Sequence, residues 1–239
     1  MTTGITKRED TMKKEIESVN RFKLVGNLDE VKGDKAIITT VVPGVTGRAY
    51  TNTFPIEVST EQAEMLAPLQ GTTVGVIGHV EKTLESQTAW LKALEVKALP
   101  NAAHSNRAEF TGPVYGADIM GRTDGKRQMA NITFVIGSRV VNAVSWRGAV
   151  TELRHKNVRR DSIVTLKGRV RLREYEQNGE LYETIELTCD QSADVKVHYV
   201  PDDADDFTFD AAEKPAGTAP TAPIPAGRNP SRRSKARAV

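Results

Sequence analysis

The chain has 239 residues, enough for one large or two small domains, and a hydrophobic content of 38% that leaves part of it outside any core. The net charge of +2 is too small to argue for a polyanionic partner by itself, so the distribution of charge has to carry any such argument. The one cysteine, Cys189, excludes a disulfide framework or a four-cysteine metal site within the chain, and no apolar run approaches the length of a membrane span.

Residues 1–19 are polar and charged and read as a flexible arm. Met1–Asp10 has no apolar stretch of the kind a secretory signal needs. Strand candidates follow at Asn20–Gly26, Lys35–Val42 and Ala49–Val58, with Pro55 marking an edge or a kink in the third. Thr60–Leu69 favours helix before Pro68, with Ser59 or Thr60 as its cap. Thr72–Val80 is a fourth strand. Thr88–Leu99 has helical propensity, but its place after the fourth strand makes a fifth strand the expectation. Residues 101–106 read as a linker.

The pattern then begins again. Strands are expected at Ala108–Tyr115, Gln128–Gly137 and Arg139–Trp146, with an Asp124-Gly125 turn before the second. Ala149–Lys156 is a short helix. Ser162–Tyr175 alternates at period two: Val164, Leu166, Val170 and Leu172 fall on one face, and Lys167, Arg169, Arg171, Arg173 and Tyr175 on the other. An Asn178-Gly179 turn leads into Leu181–Cys189, where Tyr182, Thr184 and Glu186 share the outward face. Cys189 lies on the apolar side with Ile185 and Leu187 and reads as buried filler.

Both halves therefore run three strands, a short helix and two strands. Gly78 and Gly168 sit at matching places 90 positions apart, the distance of a duplicated domain. That order is the order of an OB barrel. The expected fold class is all-β: tandem five-stranded OB barrels over 20–100 and 107–200, each with a helix between its third and fourth strands, and a C-terminal tail over 201–239. The tail holds six of the eleven prolines, opens on an acidic block at Asp202–Asp210 and closes on a basic one; disorder is expected for it.

The row of cations in Ser162–Tyr175 has two readings, a solvated face or a surface offering phosphates their counter-charge and a base a flat ring. The region is locally basic, with eight Arg or Lys and one acid between Arg154 and Arg173. Gly116–Thr123, G-A-D-I-M-G-R-T, approaches the phosphate-loop pattern, but Arg122 replaces the lysine and the segment leads to a turn and a strand. The four histidines show no metal-ligand spacing, and no nucleophile–base arrangement can be argued, so neither an enzyme nor a cofactor is expected.

V-N-A-V-S-W-R-G-A-V-T-E-L together with D-S-I-V-T-L-K-G-R-V-R-L-R-E-Y-E-Q-N-G-E-L-Y-E-T-I-E-L resembles the bacterial and phage single-stranded-DNA-binding protein family over Arg139–Leu187. N-R-F-K-L-V-G-N-L at Asn20–Leu28 resembles that family's opening strand. The resemblance implies a non-enzymatic protein that coats and protects single-stranded DNA in replication, recombination or repair. It implies base stacking on Trp146 and Tyr175 and phosphate contacts from Arg169, Arg171 and Arg173. Arg147, Lys167 and Tyr182 join them from their neighbouring positions. In the first half, Phe54 and Trp90 are the chief aromatic candidates, and Trp90 reads rather as core. Two other readings stay open, a protein-interaction scaffold of a replication complex and an RNA-binding protein. The resemblance further implies replication or recombination partners for segment 202–210, a homodimer by analogy and a place inside a bacterial cell; an atypical tail on two barrels would suit a phage or plasmid protein.

Overall fold

Apolar residues at every second position place Phe22 and Leu24 in the core and leave Arg21 and Lys23 exposed, so the first strand starts with one buried face; from Val25 both faces are covered for a short stretch. A computed structural model describes residues 16–43, 49–83, 86, 88–120, 128–177 and 179–201. The arm before Ile16, the Asp124-Gly125 turn, Asn178 and the tail from Asp202 lie outside the described residues.

The first half forms β1 (Val19–Lys32), β2 (Lys35–Pro43), β3 (Ala49–Glu57), α1 (Thr60–Leu66), β4 (Thr73–Glu81) and β5 (Trp90–Ala98). Ser59 caps α1 in a reciprocal box: its hydroxyl accepts the Gln62 N–H, and the Gln62 side chain accepts the Ser59 N–H. Ala67–Leu69 continues as a single 3-10 turn around Pro68. β1 pairs with β2 and with β4, β2 with β3, β4 with β5, and β3 with β5 in parallel, which closes a five-stranded barrel. Among the described residues, that second edge of β3 pairs only at Ile56 and Glu57, which accommodates Pro55.

The second half repeats the plan with β6 (Ser105–Met120), β7 (Met129–Ile136), β8 (Arg139–Trp146), α2 (Arg147–His155), β9 (Ile163–Gln177) and β10 (Glu180–Cys189). The same five pairings close it, again with one parallel pair, β8 to β10. This is the OB order in both halves, as the sequence implied. Phe110 and Phe134 meet edge to face inside the second barrel at 6.4 Å, and Ala149, Val150 and Leu153 of α2 are buried beneath it.

Three features were not foreseen. β6 begins at Ser105, inside the segment read as a linker, because Ser105 and Asn106 already pair with Val25 and Leu24 of β1. A further strand, β11 (Val195–Tyr199), lies beside β9. And β1 and β6 pair with each other from Val19–Thr111 to Val25–Ser105, joining both barrels in one eleven-stranded sheet. Phe22 lies opposite Gly78 in the first barrel and Ala108 opposite Gly168 in the second, so Phe22 and Ala108 are equivalent positions; they are also partners of each other. A pair of equivalent residues facing one another marks a local two-fold axis. The barrels are thus arranged like two copies of one subunit.

The same symmetry appears in two asparagines. Asn20 spans the Val80 backbone with hydrogen bonds of 2.8 and 3.0 Å, and Asn106 spans Val170 with two of 2.8 Å. Asn106 and Val170 are both buried, so Asn106→Ala strands a backbone N–H and C=O of β9 without water. It is expected to cost about 1–3 kcal/mol in a urea melt, more than Asn20→Ala at its half-buried site.

Candidate nucleic-acid interface

β9 changes partners at Gly168. Before it, Ile163–Leu166 runs between β6 and β11; after it, Arg169–Gln177 pairs with β10. This bend divides the predicted row. Lys167 stays on the β6 side, where its ammonium lies 3.6 Å from Glu109 and borders a crevice with Thr165, Lys196 and His198. Arg169, Arg171, Arg173 and Tyr175 continue onto the β9–β10 hairpin, opposite Thr188, Glu186, Thr184 and Tyr182 in turn.

At the outer end, Tyr175 and Tyr182 stack across the strands, ring centroids 5.5 Å apart and planes 23° from parallel. The Tyr182 hydroxyl donates to the Glu180 carboxylate at 2.6 Å, and that bond first, then desolvation, pushes the phenol up from its ordinary value. Burial likewise raises Tyr175 against the opposing charge of Arg173. Both rings therefore stay neutral at physiological pH, which suits stacking.

The other end of the strip is at β8. Ser145 lies beside Cys189, so Trp146 sits level with Asp190, about 25 Å along the strand direction from Tyr182. Trp146 is half-buried, pairs with Met129 of β7 and stands immediately before α2, where Arg147 is exposed with φ at 50°. The predicted aromatics are therefore two stations at opposite ends of one face, not one cluster.

The cations of the strip are not bare. Arg169 pairs with Asp190 at 3.0 Å and Arg173 with Glu186 at 3.6 Å, while Arg171 has no ion pair among the described residues. Glu186 is only 5% exposed, and burial raises its carboxyl above the ordinary carboxylate value although Arg173 and Arg171 pull it down. Of these carboxylates, Glu186 was legible as outward-facing; Asp190 and Glu109 come from segments that only folding brings to β9.

The first barrel meets this face unevenly. Phe54 is fully buried and unavailable for stacking. Trp90 is half-buried and lines a crevice of about 340 Å³ with Pro55, Leu172 and Ile185, between the barrels. His79, the residue 90 positions before Arg169, hydrogen-bonds Glu81 at 2.7 Å, and Arg139 of β8 meets the same oxygen at 2.8 Å. Burial would raise the Glu81 carboxyl, but these two donors and their charges outweigh it and hold it low. Tyr50, which sequence reasoning passed over, stands against Arg169, its ring centroid 4.9 Å from the guanidinium carbon.

Two other segments fall outside the site. Gly116–Met120 simply continues β6, with no helix N-terminus after it within the described residues. Cys189 is buried and unpaired, and burial with the charges of Asp194 and Asp190 pushes its thiol up to about 12, so it is inert packing.

Two closed barrels, each with three strands, a helix and two strands, make this a tandem OB-fold protein. Its fold is that of the single-stranded DNA binding protein from Thermus aquaticus. The wild-type structure of that protein is 14% identical over 79% of this chain and 98% of its own, with a TM-score of 0.60. A deletion mutant of it is 13% identical over 80% and 98%, with a TM-score of 0.59. No protein-family model matches the chain, and no curated protein does.

Proposed function

We propose that this protein binds single-stranded DNA and does no chemistry on it, coating exposed strands during replication, recombination or repair. Bases stack on the Tyr175–Tyr182 pair and on Trp146, and Arg169, Arg171 and Arg173 meet phosphates between them. Arg147 and Lys167 flank this path. The observation that carries the reading is the stacked tyrosine pair at the end of an arginine row on the outward face of an OB hairpin. The fold shared with the Thermus aquaticus protein supports it.

The test is a titration with a dT oligonucleotide, its matched duplex and poly-U at two salt concentrations. Tight, salt-sensitive binding of dT and not of duplex is expected, because phosphate contacts release counterions and stacking needs unpaired bases. Preference for poly-U would move the reading to RNA. The carboxylates beside the arginines favour a second reading, an OB scaffold holding replication proteins, with segment 202–210 as one docking point; absence of binding at low salt would leave that reading standing.

Glu186 makes the affinity pH-dependent. Its raised value means that the folded protein keeps this proton to a higher pH than the unfolded chain. Ionising it then costs the fold, so stability falls as pH rises from the ordinary carboxylate range through the raised value. The same ionisation places a negative charge among phosphates, so dT affinity should rise as pH falls through that window. Glu186→Gln should flatten this profile and tighten binding about fivefold at neutral pH, which corresponds to about 1 kcal/mol of relieved like-charge repulsion. An unchanged affinity and pH profile would exclude Glu186 from the path.

A further inference from the structure

We propose that Tyr50 of the first barrel and Arg169 of the second form a shared base-stacking subsite that leads single-stranded DNA from one barrel onto the other; the inference rests on the single-stranded-DNA reading above. Tyr50 is 42% exposed, whereas Phe22 and Phe54 of the same barrel are fully buried. Its ring already bears a planar cation at 4.9 Å, and that guanidinium also pairs with Asp190 at 3.0 Å. A base can add to such a pair because aromatic faces and guanidinium planes both accept stacking.

The start of β6 positions both partners. Tyr50 lies opposite Val42 in β2, and the adjacent Val41 N–H donates to His104 Nδ1 at 3.0 Å. Two residues further on, Asn106 holds both backbone groups of Val170, next to Arg169. The subsite therefore rests on two hydrogen-bonded strands rather than on loops. It also continues the strip already described: from Tyr175 back through Arg173 and Arg171 to Arg169 is six residues of one strand, about 20 Å, with an aromatic ring at each end.

The two-fold counterpart behaves differently. There His79 and Glu81 of the first barrel meet Arg139 of the second in a compact ion-paired contact, with side chains of His79 and Glu81 only 12% and 21% exposed. A contact needed only to hold the barrels together is thus made from partly buried, mutually satisfied polar side chains, and the β1–β6 pairing already joins them. The contact on the Arg169 side instead leaves a ring in solvent.

The experiment compares full-length wild type, Tyr50→Ala and Tyr50→Trp with fluorescent dT oligonucleotides of about 10 nucleotides, within the span of one barrel, and about 30, which reaches two. Tyr50→Ala should weaken binding of the long oligonucleotide about tenfold and that of the short one by clearly less. Tyr50→Trp should retain affinity and add fluorescence quenching that is stronger with the long oligonucleotide. If wild type binds and Tyr50→Ala matches it at both lengths, the shared subsite is wrong while the general reading survives. Equal weakening at both lengths with a lower unfolding midpoint would make Tyr50 a structural clamp and overturn the inference. If wild type binds neither oligonucleotide, the underlying reading fails first, and the subsite with it.

Discussion

Replacing Tyr175 and Tyr182 together by alanine will weaken dT binding by about 1–3 kcal/mol for each base they stack, about 5- to 150-fold per base. The rings lie 5.5 Å apart on neighbouring strands and act as one platform, so the single mutants should not add up to the double. Tyr182→Phe, which keeps the ring and removes only the hydroxyl bound to Glu180, should stay near wild type. Both rings are half-exposed at the hairpin's outer end, and an aromatic pair contributes only about 0.5–1.5 kcal/mol beyond burial, so the fold should survive the double mutation. Anisotropy titrations paired with thermal melts check both statements. Normal affinity in a folded double mutant would remove the hairpin from the DNA path.

Gly168→Ala is expected to destabilise the second barrel markedly. At Gly168, β9 leaves β11 for β10, and the new neighbour comes very close. An added Cβ would overlap the carbonyl oxygen of Thr188 and lie 2.9 Å from its carbonyl carbon, both backbone atoms that cannot rotate away. Overpacking of this kind costs about 1–3 kcal/mol, or about 2–12 °C in melting temperature for a chain of this size. Gly116→Ala is the control: its Cβ would meet nothing within 4 Å, so the melting temperature should barely move. Matching melts for the two variants would mean that the β9–β10 approach yields without cost. Arg169 follows Gly168 directly, so Gly168→Ala should also disturb the arginine row and reduce dT affinity.

Much of this architecture was readable because strand faces are a local property. Successive side chains point to opposite sides whatever the strand pairs with, so Arg169, Arg171, Arg173 and Tyr175 had to share a face, and Val170 and Leu172 had to share the other. The Ser59 cap was legible for the same reason, because it is satisfied within its own turn. Trp90–Ala98 shows the limit of local preference. Its Leu, Lys, Ala and Glu residues favour helix, yet it is β5, because the barrel needs a strand between β3 and β4.

By itself the amino-acid sequence determined the two five-stranded units, their helices and the row that faces outward, since alternation, turns and caps act within a few residues. Only the tertiary structure decided how β1 and β6 join the barrels, that Lys167 parts from the arginines at Gly168, and that Trp146 and Tyr182 stand at opposite ends of one face. It alone brought Asp190 to Arg169, and set Tyr50 against it across 119 positions of chain. The physical reason is that charge pairing and ring contacts depend on which strands become neighbours, and closing a barrel settles that through pairings between residues far apart in the chain.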